Sequence, residues 1–442
     1  MALEKYYETA GKNDPLRIDI PTGGYVPTFM KHRTDNQHPP PEKTATFEAM
    51  VTWPAILVRL LTNLTANPED DYLSIGLTAE LAHALSHYRE IRVLEALHRT
   101  QKSPSPEIDF DFIIEGNVRR DPAGVSVAIW LRDTKNGIRI WSGKYQGDLE
   151  AAKMISFQED VAAEVAVRVA GDNAVITRHL AGISPHKAAS ELTTYEAMLR
   201  FWESATLLTP QSMMRTIRAL EHALAREPDN GQIWSMLASQ YANSYGLEFA
   251  DLSKPLERAA EFALRGVRLD PTNRRARMIL AYVRLLQNRL REARYEAETA
   301  HNLCPNSLMV LDTIGWVMAL AGDWESGVAW IEKAIKLNPY YRSWVRHAAC
   351  INRFRVGNYE KAYRESLHFV MPKLFWEPLL KAAVCGHLER IEEGQKCARA
   401  LLELKPDFAQ RGRILIGRYV KFEDIVDRIV EGLGKLGMNI ES

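Results

Sequence analysis

Two histidines, His83 and His87, stand four residues apart, a spacing that puts both imidazoles on one face of a helix and would let them share a metal ion. They fall on the polar side of that helix, opposite Leu77 and Leu81, with no evident third ligand, so a solvated face is the plainer reading. Cys385 and His387 pose the same question inside a helical stretch, where packing accounts for them without a ligand. Gly23-Gly24 has turn chemistry, not the context of a phosphate-cradling loop. Walker A, GxGxxG, GxSxG and HExxH motifs are all missing. No catalytic residue, cofactor or metal is expected, and the chemistry left to read is that of surfaces.

Composition bounds those surfaces. Lys+Arg and Asp+Glu balance at 56 each, so no global field marks a nucleic-acid or membrane-surface binder. Hydrophobic residues at 46% and charged residues at 25% suit globular folding, and 442 residues suit two or three folding units. The first residues lack the apolar core of a leader, and the apolar runs at 54–58 and 310–320 are too short to span a bilayer. Cys304, Cys350, Cys385 and Cys397 form no CxxC pair, which leaves a reducing cytoplasm as the expected compartment.

The elements that carry the surfaces repeat. Pro228, Pro271, Pro305, Pro339, Pro372 and Pro406 are spaced by 43, 34, 34, 33 and 34 residues, the long interval holding an insertion of about nine residues around Tyr245 to Lys254. Between Leu311 and Pro339 two amphipathic helices flank Gly322-Asp323. Leu311, Ile314 and Met318 share a face of the first, and Ile331 and Ala334 belong to the second. Gly315 and Gly327 allow the two helices to approach closely, and Pro339 ends the unit. Trp234, Leu237, Ala238 and Tyr241, then Leu280, Ala281, Ala293 and Ala300, repeat the pattern, while His368 departs from it.

This pattern resembles the tetratricopeptide (TPR) family over about half of the chain. The resemblance implies a superhelix whose first helices line a concave, protein-binding groove. Carried over position by position, the groove residues are Arg275, Met278, Tyr282, Asp312, Trp316, Arg342, Val345 and Asn352. Each is also an ordinary solvated or core residue of its helix on the plainer reading. Residues 274–294 carry seven arginines against Glu292 alone, and residues 342–364 carry five arginines and a lysine against Glu360. On the groove side, this charge favours an acidic partner segment. On the convex side it only solubilises.

Upstream the period changes. Ala55 to Leu61 reads as a strand, Ser74 to Tyr88 as a helix and Ile91 to Leu94 as a second strand. Phe112 to Arg120, Val125 to Asp133 and Ile138 to Tyr145 alternate like strands joined at turns, and Phe157 to Val169 returns to a helical stripe. That order implies a mixed or antiparallel sheet with helices on a face. Gly76-Leu77-Thr78, the stretch Phe112 to Arg120, Trp141 with Tyr145 and Asp148, and Phe157 to Ala162 resemble the TolB-like N-terminal domain. Bacterial proteins associated with adenylate or guanylate cyclases, and winged-helix regulators, carry that domain ahead of TPRs. The hairpin-like stretch Ile18 to Phe29 looks like the wing of an OmpR/CadC-type domain whose first helices are missing, and Phe408 to Ser442 like the segment that closes TPR arrays. Arg411, Arg413, Arg418 and Lys421 would keep such an end cap soluble.

The expected architecture is α+β: a winged-helix-like remnant at 1–33, a linker at 34–50, a mixed-sheet TolB-like α/β domain at 51–171, a connector at 172–190, an all-α TPR superhelix at 191–408 and capping helices at 409–442. The expected function is a non-enzymatic scaffold or regulatory adaptor that binds a protein through its groove, with DNA and membrane not expected as partners. A truncated winged-helix transcriptional regulator and a non-catalytic component of cyclase signalling are the alternatives.

Overall fold

A computed structural model of the chain describes residues 53–65, 67–88, 90–96, 109–122, 124–147, 151–170, 174–183, 188–303, 308–337 and 341–441. The hairpin at 18–29, the linker at 34–50, Cys304, Pro305, Pro339 and Asp148 lie outside them.

The sheet begins with β1 (Ala55–Arg59), four of whose five residues are buried, and the short β2 (Thr62–Asn63). Asn67 caps the turn Pro68–Asp70, which launches α1 (Asp71–Ser86), three residues earlier than the apolar stripe alone suggests. Next come β3 (Arg92–Ala96), β4 (Phe112–Asp121), β5 (Gly124–Asp133), β6 (Arg139–Gly147) and α2 (Ala151–Ala170). The strand order is β3-β1-β4-β5-β6, with β2 beside β4. β1 runs parallel to both neighbours, and β4, β5 and β6 form an antiparallel meander, so the sheet is mixed. Gly137, at φ +71°, makes the tight turn between β5 and β6. Leu73, Leu77, Leu81 and Leu85 of α1 join Val161, Val165 and Val169 of α2 over Ile56, Ile114, Val127 and Ile129, burying one face of the sheet.

After α3 (Val175–Ile183) the described residues form six helical hairpins. They are α4 (Thr194–Leu207) with α5 (Pro210–Arg226), α6 (Gly231–Leu247) with α7 (Pro255–Leu269), and α8 (Arg274–Leu286) with α9 (Leu290–Asn302). Then follow α10 (Leu308–Leu320) with α11 (Trp324–Leu337), α12 (Arg346–Arg355) with α13 (Tyr359–His368), and α14 (Trp376–His387) with α15 (Ile391–Leu404). Thr193, Thr209, Asn230, Asn273 and Asn358 cap first turns, each side chain accepting from a backbone N–H that the helix leaves unbonded. A β-carbon on Gly315 would stand 2.7 Å from the carbonyl oxygen of Gly327, so both glycines are there to bring α10 and α11 together. His368 is exposed at the end of α13, and Ala362 and Ser366 take the buried positions of that repeat. The first helices α6, α8, α10, α12 and α14 pack on one another in succession and form the inner wall. Together the described residues make an α+β protein, a small mixed sheet followed by a TPR-type array.

The last helices, α16 (Phe408–Gly417) and α17 (Glu423–Gly434), depart from the expected end cap. α17 does pack on α14, with Gly386 against Gly432. The chain leading to it, however, runs back along the C-terminal ends of the inner helices. Arg418 donates to the Tyr245 carbonyl near the end of α6 (2.5 Å), and Lys421 to that of Leu286 at the end of α8 (3.3 Å). The Phe422 ring covers Gly322 just past α10. Arg428 donates to the carbonyl of Arg355 at the end of α12, and its own carbonyl accepts from His387 Nε2 at the end of α14 (2.8 Å). Arg418, Lys421 and Arg428 thus meet the negative ends of helix dipoles and carbonyls left without intrahelical partners. Arg413 is the cation that keeps to the surface, paired within the segment with Glu423 and Asp427.

Candidate functional site

The inner wall encloses a pocket of about 120 Å³. Phe201 of α4 closes one side, with Ser239, Asn243 and Leu247 of α6 beside it. α8 supplies Arg275, Met278, Ile279 and Tyr282, and α10 supplies Thr313 and Trp316. Arg342, Trp344 and His347 enter from the next repeat, Phe369, Leu374 and Trp376 from the one after, and Tyr419 from the returning C-terminal segment. The 3.6-residue period puts positions three and four apart on one face, which is how Arg275, Met278, Ile279 and Tyr282 come to line the same pocket.

The rings form one connected cluster. Trp316 stands edge-on to Tyr282 (5.7 Å between centroids), Trp344 (5.9 Å) and Tyr419 (5.5 Å), and Trp376 edge-on to Tyr419 (5.9 Å) and His347 (4.4 Å). The Tyr282 hydroxyl donates to Asn243 Oδ1 at 3.0 Å and lies 3.2 Å from the Tyr419 hydroxyl. Burial pushes both phenols well above their ordinary range. His347 Nδ1 accepts from Trp316 Nε1 at 3.3 Å, and burial lowers this imidazole to about 3, so it is neutral. The pocket holds its titratable rings uncharged.

Of the groove residues expected from sequence, Arg275, Met278, Tyr282, Trp316 and Arg342 line this pocket. Asp312 stands behind the wall and grips the Arg342 guanidinium at 2.8 and 2.9 Å. Val345 and Asn352 are not brought to it. Residues Ser343–Val345 form a 3-10 turn before α12, tighter than the α-helix assumed, and Val345 is fully buried in the core. Asn352 lies near the far end of α12 and accepts from Arg355 Nε at 2.9 Å. His347, Trp344, Trp376 and Tyr419 line the pocket as well and are not among the groove residues expected from sequence. The aromatic residues grouped at the starts of the last two first helices were a usable signal for the first three, but nothing local marked Tyr419.

The arginine-rich stretches do not present a basic groove. Arg275 pairs with the buried Glu90 of the α/β portion (3.0 Å), which also accepts from Gln232 (2.9 Å). Arg277 meets Glu296 (2.9 Å), Arg284 meets Glu292 (3.3 Å), and Arg346 meets Glu365 (3.0 Å). The long side chains of these arginines reach carboxylates on neighbouring elements, and their charge is matched by internal pairs. The carboxylate on this side that gathers cations is Glu248, in the insertion after α6. It receives Arg411, Arg418 (2.6 Å) and Lys405 (3.4 Å) from the end of the chain. Burial opposes its ionisation, but the Arg411 hydrogen bond and the charges of Arg418 and Lys405 outweigh that and hold the carboxyl at about 2. Gly246 lies so close to the Tyr419 hydroxyl that a β-carbon there would overlap it.

The remaining candidate residues lie outside this pocket. His83 and His87 are exposed, their rings edge-on at 4.7 Å, and among the described residues no three His, Cys, Asp or Glu side chains are grouped to hold a metal. Cys385 is buried, its thiol pushed up to about 12 by burial, and His387 stacks on Tyr359 at 4.3 Å. On the sheet, Glu115 accepts from Arg59 (2.6 Å), Arg132 and the Trp130 indole (3.2 Å), with Arg139 over that indole at 4.5 Å. Among the described residues no helix is long and apolar enough to cross a membrane.

Fold and pocket define the class: a small mixed sheet joined to a TPR-type array with an aromatic concave face. No family model and no curated protein matches the sequence. Among solved structures, that of YrrB, a TPR protein with an unusual peptide-binding site, is similar at 15% identity, covering 43% of this chain and 93% of its own, with a TM-score of 0.28.

Proposed function

We propose that this protein is a non-catalytic adaptor that binds a segment of another protein on the concave side of its helical array. The observation that supports this reading is the pocket itself, where first helices of successive repeats bring tryptophan, tyrosine and arginine side chains to one opening. Such residues dominate the energetics of protein interfaces when they are clustered and shielded from water. The α/β portion, similar in sequence to TolB-like domains, acts as a shoulder for the array through Glu90 and Arg275. Regulatory signalling is the setting that this resemblance suggests.

The returning C-terminal segment already lies along one edge of the groove, so the partner docks at the open side, by Ser239, Asn243 and Trp344. Affinity capture should compare the wild-type protein with Trp344→Ala and Ser239→Trp, both changes at half-buried positions that leave the internal ion pairs intact. A partner retained equally by all three would refute the concave reading.

A further inference from the structure

Resting on the reading that the concave face is the binding site, we propose that its pocket recognises one uncharged phenol-type ring, as carried by a tyrosine of the bound segment. Four observations converge on this ligand. The first is size: about 120 Å³ is the order of space that holds a single six-membered ring, since an apolar cavity of ~150 Å³ binds benzene. The second is the wall, where Trp316, Trp344, Trp376 and Tyr282 offer faces and edges to a ring and leave little room for a branched or extended group.

The third is charge. Arg275 and Arg342, the cations at the wall, are matched by Glu90 and Asp312 at 3.0 and 2.8 Å. An anionic or cationic ligand would enter without a free counter-charge and would lose its hydration. The fourth is a donor. Trp376 lines the pocket and is buried, yet its indole N–H has no acceptor among the described residues. A buried donor in that state is costly, and a ring bearing an oxygen can relieve it where a plain hydrocarbon ring cannot. The protein already shows how this cluster holds such a ring. Tyr419 stacks on Tyr282 (6.5 Å, 9° between planes) and meets Trp316 and Trp376 edge-on, its hydroxyl beside that of Tyr282.

The test is calorimetric titration of the full chain with p-cresol, which is the tyrosine side chain alone, with toluene and benzoate as controls, and with the tripeptides Gly-Tyr-Gly and Gly-Phe-Gly. Saturable p-cresol binding is expected, tighter than toluene by roughly threefold to tenfold, the range one neutral hydrogen bond supplies. Benzoate should not bind. Ser239→Trp, which fills the pocket, should abolish p-cresol binding, and Trp376→Phe should erase the preference over toluene while leaving the helical circular dichroism unchanged. Binding of Gly-Tyr-Gly but not Gly-Phe-Gly assigns the ring to a protein segment. Binding of p-cresol alone assigns it to a free phenol, so that the ring recognition stands and the adaptor loses its anchor. No p-cresol binding at millimolar concentration, or binding undiminished in Ser239→Trp, overturns the inference. A captured protein that Trp344→Ala still releases would then leave the adaptor standing without it.

Discussion

Glu248→Gln removes the charge that holds the returning segment, and the structure sets the size of the effect. Three cations carry this carboxyl from its ordinary 4.5 down to about 2, against the opposing effect of burial. At about 1.4 kcal/mol per unit the displacement has a ceiling of roughly 3.5 kcal/mol. The side chain is 21% exposed, and solvent screening reduces the expected contribution to about 1–2 kcal/mol. Because the folded pKa is the depressed one, the contribution is complete above the unfolded pKa and is lost as pH falls from there towards the folded value. About a quarter should be gone at pH 4 and more than half at pH 3. Urea midpoints of wild type and variant, measured from pH 7 down to pH 3, read this directly, and amide exchange locates the loss in residues 411–421. Equal midpoints at pH 7, or a gap that stays constant from pH 5 to pH 3, would refute the assignment.

Other perturbations follow from the same geometry. Arg275→Met strands the buried Glu90 and should cost about 3–5 kcal/mol, whereas joining it to Glu90→Met should recover most of that loss in a double-mutant cycle of urea unfolding. Gly246→Ala should cost about 1–3 kcal/mol by driving out the Tyr419 ring, and Tyr419→Ala should add little on top of it if the two share one cause. His347, held neutral down to about 3 by burial, makes the folded state lose stability as pH drops below the unfolded value of 6.5, by up to about 1.4 kcal/mol per pH unit. His347→Phe should flatten the plot of stability against pH between 6.5 and 5, where Glu248 does not yet titrate, and an unchanged slope would place the titrating group elsewhere.

Features written in local patterns were legible in the sequence. The 34-residue proline interval, Gly315 with Gly327, and the alternation of β4 to β6 depend on neighbours in the chain, and the array and the mixed sheet followed from them. Five of the eight expected groove residues fell on the pocket for the same reason. What was not legible rests on partners far away. A surplus of arginines says nothing of the glutamates one helix or one domain off that neutralise them, as Glu90 does Arg275 across 185 residues. The 43-residue proline interval was visible as an insertion, but its Glu248 gained meaning only when Arg411 and Arg418 arrived from the chain's end. Arg418 and Lys421 looked like solvated surface because their acceptors, the carbonyls closing α6 and α8, leave no trace in side-chain chemistry.

The returning segment also changes how the array comes apart. Stacked repeats touch only their neighbours, so such arrays fray from their ends and unfold in stages. Here Lys405, Arg411 and Arg418 join residues 157 to 173 positions away. The line of repeats becomes a closed circuit, in which the terminal hairpin cannot open without releasing the middle ones. Its price is kinetic, because contacts of such long sequence separation form late and slow the final folding step. Once they have formed, opening is shared across the array, and the repeats bordering the pocket are held at the stability of the whole.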